Sequence, residues 1–322
     1  MIFLFLAVLL NAPASPSPIV LRLEKSLDAM GTTYSVAVYG TDRYKMEAAV
    51  ELAFEDVRQQ DQLLSNYRPD SELSQLNERA AAGPVKVSKE LFDLLAACVR
   101  YSEASEGAFD ITVGPLMKVW GFYKGSGRFP HRAEIRGAMA HVGYKNLELD
   151  AQQRTVRFRR DGVELDPGGI GKGYAVDRMV AILRQNGISS GLITAGSSSI
   201  YGIGIPPTES RGWRVVIKHP KDPNKSVDEV FLKDMSMSTS GNYEKFFRAG
   251  DRIYSHIMDP RTGYPASGML SVSMITPKTL DSEAWTKPYF INGRKWASEH
   301  KLPGSRAFLC EDRSELACAW LQ

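Results

Sequence analysis

The sequence predicts a mixed α/β fold of the α+β kind, in one compact domain over residues 19–322. Predicted strands and helices follow one another without the regular strand–helix–strand spacing of a parallel α/β fold. This range contains no internal repeat and no linker. Hydrophobic residues make up 43% and charged residues 24% of the 322 residues, as in soluble globular proteins. We therefore expect neither a disordered nor a membrane-spanning chain.

The first 18 residues predict export. Residues 1–10 are almost purely apolar, and the proline- and serine-rich segment after them ends any packed element. We interpret residues 1–14 as a signal peptide and residues 15–18 as a short connector. The mature protein is therefore expected in the periplasm or at the cell surface. The rest of the chain has no run of the roughly 20 apolar residues that a transmembrane span needs.

Charge and cysteine content argue against two other kinds of site. The formal charge of +3 is spread along the chain, and the basic cluster at residues 157–160 ends a predicted strand, so we expect no nucleic-acid partner. The three cysteines match no metal-binding spacing. Cys98 lies on an apolar helix face and is expected in the core, whereas Cys310 and Cys318 could pair across a C-terminal hairpin.

The N-terminal half predicts a hairpin followed by several helices. Alternating residues indicate two antiparallel strands, and apolar residues at helical spacing indicate a long amphipathic helix after them. Pro69 ends this region, and Ser71 and Ser88 are candidate caps for the next two helices. The predicted elements are strands 19–24 and 32–39, helices 43–65, 88–105 and 133–142, and a hairpin of 147–150 with 155–159.

The C-terminal half predicts mainly strands. It includes a polar edge over residues 235–243 and a short helix over residues 282–290, before a closing hairpin. The predicted strands are 191–195, 213–218, 227–232, one around 245–248, 270–276, 306–310 and 316–320.

A glycine-rich turn at residues 164–177, ELDPGGIGKGYAVD, is the strongest local signal. Its glycines permit positive φ and close approach of a ligand, and the helix predicted at 174–186 would direct its N-terminus toward the same place. We therefore expect an anionic ligand on this turn. A Walker A loop is excluded because Asp166 replaces its first glycine and Gly173 replaces its serine or threonine.

Five motifs, taken together, resemble the ApbE family, the FAD:protein FMN transferases. They are MGT at 30–32, SNYRPDSELS at 65–74, GAFD at 107–110, GIGKGYAVD at 169–177 and HIMDPRTG at 256–263. The resemblance implies an enzyme that cleaves FAD with Mg²⁺, attaches FMN to a threonine of an acceptor protein and releases AMP. It also implies that the acceptor is a membrane redox subunit. The alternative is a relative that binds or hydrolyses FAD without an acceptor protein.

The resemblance also assigns residues to FAD. A pyrophosphate needs cationic donors such as Lys172, and Tyr67 and Met30 offer flat or polarizable surface to a ring system. A threonine hydroxyl needs a base, for which His256 is the catalytic candidate. The predicted FAD contacts are Met30, Tyr67, Ala108, Phe109, Asp110, Asp166, Lys172, His256 and Ile257.

The metal site implied by the resemblance is altered. Its predicted ligands are Gly169, Glu283 and Thr286, but Lys287 stands where the family has a threonine, and an ammonium cannot bind Mg²⁺. Three interpretations stay open. Lys287 faces inward and replaces the metal charge; Lys287 faces outward in a surface ion pair while the three ligands hold Mg²⁺; or the site has lost its metal and full activity.

Overall fold

The computed structural model describes residues 19–125, 127–250, 252–313 and 315–322, so the predicted signal peptide and connector lie outside the described residues. The described helices are α1 (Arg43–Leu64), α2 (Glu72–Arg79), α3 (Lys89–Ala104), α4 (Gly114–Val119), α5 (Arg132–Met139), α6 (Gly171–Gln185) and α7 (Thr279–Glu299). None of these described helices has both the length and the apolar character that crossing a membrane requires.

The strands fall into one large and several small sheets. Their bounds are β1 (Leu21–Ala29), β2 (Thr32–Gly40), β3 (Val85–Lys86), β4 (Leu147–Asp150), β5 (Thr155–Phe158), β6 (Ser190–Ala195), β7 (Ser199–Ile203), β8 (Trp213–His219), β9 (Asp222–Leu232), β10 (Met235–Gly241), β11 (Phe246–Ala249), β12 (Arg252–Ser255), β13 (Met258–Asp259), β14 (Tyr264–Pro265), β15 (Met269–Thr276), β16 (Arg306–Glu311) and β17 (Ala317–Trp320).

The large sheet has eight antiparallel strands in the order β1-β2-β6-β7-β10-β15-β16-β17. The predicted mixed α/β class is thus confirmed, with helices packed on an antiparallel sheet. The predicted β1–β2 hairpin is also present. It turns at Met30 and Gly31, whose φ angles of 50° and 68° match the twist of a two-residue hairpin.

Three helices cover one face of the large sheet. Between α1, α6 and the first four strands of the sheet, Val36, Val57 and Met179 are fully buried. Helix α7 continues this layer over β10 and β15, where Tyr289 and Phe290 are buried. The β8–β9 hairpin packs on the opposite face. The crossing of α6 and α7 is the part of this layer that borders the candidate site.

Strand β10 differs from its prediction. Residues 235–243 were expected to form a polar edge, but β10 is an inner strand between β7 and β15. Its alternate serines face α7, where Ser238 Oγ lies 2.7 Å from Ser282 Oγ and Ser240 donates to Thr286 at 2.8 Å. Because these hydroxyls have partners, a serine-rich strand can be buried here at little cost.

The glycine-rich turn also differs from its prediction. Helix α6 begins at Gly171 rather than at residue 174, so Gly173 lies in its first turn. None of the four glycines, at residues 168, 169, 171 and 173, uses the positive φ that glycine permits. Glycine is needed at 173 for packing, because a Cβ there would lie 2.6 Å from the carbonyl oxygen of Thr279 in α7. This glycine lets α6 and α7 cross closely.

Helix α7 is longer than the predicted helix over 282–290. Asp177 of α6 accepts hydrogen bonds from the backbone N–H groups of Thr279 (2.7 Å) and Leu280 (2.9 Å). This cap starts α7 three residues early. The helix then continues past Pro288 to Glu299, with a non-helical residue at Gly293. A cap that comes from another helix leaves no local sign in the sequence.

Several local predictions are confirmed. Ser71 and Ser88 cap α2 and α3 by accepting from backbone N–H groups at 2.9 Å and 3.2 Å. The closing hairpin is β16–β17, and Cys310 and Cys318 form a disulfide across it. Cys98 is buried in α3, as expected of a core residue.

Candidate active site

A cleft in two parts opens beside the glycine-rich turn. The inner chamber has a volume of about 190 Å³ and the outer chamber one of about 1060 Å³. Because the two chambers share walls, the cleft can hold a ligand longer than either chamber. The shared residues form what we call the junction: Tyr67, Tyr123, Asp166, Gly168, Lys172, Glu244 and Lys245.

All nine residues predicted to contact FAD line this cleft. Met30 lies in the outer chamber, at the β1–β2 turn. Tyr67, Asp166 and Lys172 belong to the junction. The inner chamber contains the other five, which are Ala108, Phe109, Asp110, His256 and Ile257. Motifs from five distant parts of the sequence therefore meet at one cavity, although their contacts with FAD remain predictions.

Met30 is held firmly in the outer chamber. Its backbone N–H donates to Asp61 Oδ1 at 3.1 Å, and Tyr34 Oη donates to the Met30 sulfur at 3.2 Å. Both contacts restrain a residue with left-handed backbone, which is uncommon for methionine. The thioether is thus preorganised as a polarizable surface for a ligand.

Tyr67 provides an accessible aromatic ring at the junction. It is 71% exposed and packs edge-on against Tyr123, with ring centroids 5.8 Å apart. Asn66 fixes Tyr123 by donating to its hydroxyl at 2.8 Å. Because Tyr123 supports only one side of it, the Tyr67 ring can stack on a flat ligand.

Asp110 and Asp166 hold loops in place. Asp110 accepts from the N–H and hydroxyl of Thr112 at 2.8 Å and 2.7 Å, and from the N–H of Tyr144 at 2.6 Å. Asp166 accepts from the N–H of Gly168 at 2.7 Å. Burial raises the pKa of both carboxyl groups, and the hydrogen bonds oppose this shift. Both residues therefore position the cavity wall.

His256 has the geometry of a neutral base. Its Nδ1 lies 3.1 Å from the carbonyl oxygen of Lys245, so Nδ1 carries the proton of a neutral ring and Nε2 is left as the acceptor. Burial lowers the pKa of His256 to about 4, and three nearby ammonium groups add to the shift. These belong to Lys287, Lys172 and Lys245. The imidazole is therefore neutral at pH 7.

The N-terminus of α6, where an anionic ligand was expected, is occupied by the protein's own carboxylate. Glu283 accepts from the N–H of Gly173, and its Oε1 lies 3.4 Å from Lys172 Nζ. The Glu283 residue is only 2% exposed. The helix dipole and Lys172 thus stabilise an internal charge. A ligand phosphate would meet the Lys172 side chain at the junction and not a free helix end.

The residues predicted to bind magnesium do not fit such an ion. Thr286 is fully buried, and its hydroxyl donates to the Glu283 carbonyl at 2.7 Å and accepts from Ser240 at 2.8 Å. The Glu283 carboxylate is engaged as described above. Of the three predicted ligands, Gly169 alone lines the inner chamber. An octahedral oxygen shell would require Glu283 and Thr286 to leave their present partners.

Lys287 faces the inner chamber, which rules out the outward-facing orientation. Its Nζ donates to the backbone carbonyl of Glu283 at 2.8 Å and not to the carboxylate of that residue. Its Cε lies 3.4 Å from the place that a Cβ on Gly169 would occupy. Burial lowers the pKa of Lys287 to about 8, so the ammonium stays mostly charged at pH 7.

The sequence interpretation missed Tyr123, Glu244 and Lys245. Tyr123 belongs to none of the predicted elements or motifs, although the aromatic residues before it and the flanking glycines were a usable signal. Glu244 and Lys245 follow β10 and reach the junction only because the chain turns back toward His256, whose N–H donates to the Lys245 carbonyl at 3.0 Å. No local pattern marks this approach.

The family assignment follows from comparison with known proteins. The sequence model described as the ApbE family matches residues 30–305. The chain belongs to the ApbE family. An ApbE relative from Escherichia coli K12, named FAD:protein FMN transferase, is 31% identical over 280 residues, which are 84% of this chain and 78% of the relative. A relative from Klebsiella pneumoniae strain 342, with the same name, is 32% identical over 90% of this chain and 83% of the relative.

Solved ApbE structures share the fold. The ApbE protein of Thermotoga maritima superposes with a TM-score of 0.83 at 29% identity, over 92% of this chain and 96% of that one. The flavinyl transferase ApbE of Pseudomonas stutzeri, in its apo form, superposes with a TM-score of 0.82 at 28% identity. The superposition covers 94% of this chain and 95% of that one. The mixed α/β class and the family resemblance are both confirmed.

Proposed function

We propose that this ApbE-family chain is a FAD:protein FMN transferase. The observation that carries the proposal is the two-chambered cleft, with Lys172 and Lys245 at its junction and a neutral His256 in the inner chamber. FAD consists of two nucleotide halves joined by a pyrophosphate. Such a long molecule suits a cleft of two adjoining chambers with cationic side chains where the chambers meet.

In the proposed reaction, a threonine hydroxyl oxygen of the acceptor attacks the FMN-side phosphorus of FAD. A phosphoester bond to the threonine forms, the bond between this phosphorus and the bridging oxygen breaks, and AMP leaves with that oxygen. His256 Nε2 takes the threonine proton. Lys172 and Lys245 stabilise the negative charge that develops on the pyrophosphate oxygens. No step runs through magnesium, because the predicted ligands do not fit the ion.

The proposed acceptor is a membrane redox subunit outside the cytoplasm, and the proposed location of this chain is the periplasm or the cell surface. The apolar residues 1–10 support export, as does the Cys310–Cys318 disulfide, because disulfides persist mainly in oxidising compartments.

Incubation of the mature protein with FAD and the soluble domain of a candidate acceptor tests the function. We expect a fluorescent flavin band on the denatured acceptor and equal release of AMP. His256→Ala should retain its affinity for FAD. Its rate of FMN transfer should fall by a factor of about 10²–10⁴, which is typical of the loss of a general base. His219→Ala, outside the residues that line the cleft, is the matched control.

Other outcomes decide between alternatives. Release of both FMN and AMP without acceptor labelling would indicate FAD hydrolysis, with water in place of threonine. Failure of the wild-type protein to bind FAD in a fluorescence titration would overturn the proposed function.

A further inference from the structure

We propose that the Lys287 ammonium is a resident countercharge for the phosphate groups of the ligand, in the place of a divalent cation. The inference rests on the proposed function, because it concerns the phosphates of FAD. It follows from the contacts of Lys287, Glu283 and Thr286 in this chain.

The position of the ammonium is fixed by its own helix. Lys287 lies one turn after Glu283 on α7 and donates to the Glu283 carbonyl at 2.8 Å. An ammonium has three donors, and this contact uses one of them. The others can serve a ligand in the inner chamber.

The surroundings favour an anion beside Lys287. Lys172, Lys245 and the neutral His256 line the same chamber, together with three carboxyl groups, those of Glu244, Asp110 and Asp166. Asp110 and Asp166 are engaged by backbone N–H groups of the cavity wall. The charge of Glu283 is already balanced, since its carboxylate accepts from Gly173 N–H and lies beside Lys172. Because Lys287 Nζ donates to the Glu283 carbonyl and not to this carboxylate, its other donors can reach a ligand. A phosphate there would be held by charge-assisted hydrogen bonds.

The same contacts disfavour a divalent ion. A cation near the Glu283 carbonyl would meet the Lys287 ammonium, and like charges at such separation repel. The hydroxyl of Thr286 points instead to Glu283 O and Ser240 Oγ. The inner chamber thus has one fixed monovalent cation on α7, which is always present and needs no metal to be recruited.

Measuring the affinity of the mature protein for FAD, once in EDTA and once in excess Mg²⁺, tests the inference. The measurement is a fluorescence titration or calorimetry. We expect the wild-type affinity to be the same in both buffers. Lys287→Met, which retains most of the side-chain volume, should weaken binding about tenfold or more in both buffers, as for loss of a charged hydrogen bond. Lys287→Arg should retain most of the affinity. Lys295→Met, an exposed lysine on the same helix, should bind as wild type.

The wild-type comparison stands even if Lys287→Met fails to fold, which thermal unfolding would reveal. FAD binding that requires Mg²⁺ would overturn this inference and leave the proposed function standing. A folded Lys287→Met variant that binds FAD with wild-type affinity would also overturn this inference and leave the proposed function standing. Absence of FAD binding in both buffers would overturn the inference and the proposed function together.

Discussion

His256 and Lys287 lie in the same chamber, and burial lowers the pKa of each because it disfavours the charged form. The consequences differ because their ordinary pKa values lie on opposite sides of pH 7. His256 becomes reliably neutral and can accept a proton, whereas Lys287 remains mostly charged. One environment therefore provides a base and a cation next to each other.

At the residue scale, we predict that His256 of the free protein titrates near pH 4. Because its folded-state pKa lies below the ordinary value of about 6.5, the imidazole gains its proton only as the pH falls through about 4. An NMR titration should show constant His256 ring signals from pH 8 to about pH 5. A His256→Gln spectrum gives the assignment. A midpoint near the ordinary value would contradict the prediction.

At the scale of the elements, helices α6 and α7 stabilise each other's first turns. Glu283 of α7 accepts from the N-terminal turn of α6, and Asp177 of α6 accepts from the N-terminal N–H groups of α7. Acidic groups at helix N-termini are favourable for the helix dipole. This reciprocal capping holds Lys172 and Lys287, one from each helix, on the walls of the same cleft.

At this scale we predict that Gly173→Ala destabilises the fold by about 1–3 kcal/mol, as overpacking does. The new Cβ would lie 2.6 Å from Thr279 O and 2.8 Å from Glu283 Oε2, so the helices would have to separate. Urea unfolding measures the change. The control is Gly137→Ala in α5, where a Cβ meets open space and alanine should stabilise the helix by up to about 1 kcal/mol. Equal effects of the two substitutions would contradict the packing argument.

At the scale of the whole molecule, the large sheet determines where the cleft forms. Strand β1 ends and strand β2 begins at the outer chamber, β10 ends near the junction, and the loops that follow α1 and α3 complete the walls. At the far edge of the same sheet, the Cys310–Cys318 disulfide ties β17 to β16.

We predict that the mature chain, denatured without reductant, has one reactive thiol, that of Cys98. After reduction it should have three, the full cysteine content. Reduction should lower the free energy of unfolding by about 2–3 kcal/mol, the loop-closure value for a sequence separation of 8 residues. A thiol assay measures the number of reactive thiols, and urea unfolding measures the free energy of unfolding. A Cys310→Ala/Cys318→Ala variant, insensitive to reductant, is the control; three thiols before reduction would contradict the disulfide.

The sequence by itself determined the elements whose signals are local. Helices α1 and α3, the Ser71 and Ser88 caps and the β1–β2 hairpin depend on neighbouring residues, and periodicity or a capping side chain reveals them. The five family motifs likewise identified many of the residues that line the cleft, since each motif is continuous in the sequence, but they did not include Tyr123, Glu244 or Lys245.

Only the tertiary structure decided features that join distant residues. The burial of β10 depends on hydroxyl partners in α7, and the early start of α7 depends on Asp177. The internal use of Glu283 depends on how α6 and α7 cross, and the chamber that Lys287 faces is formed by residues of other elements. The contacts between β10 and α7 and between α6 and α7 join residues 44 to 110 positions apart, and such pairings have no periodicity that a single sequence could reveal.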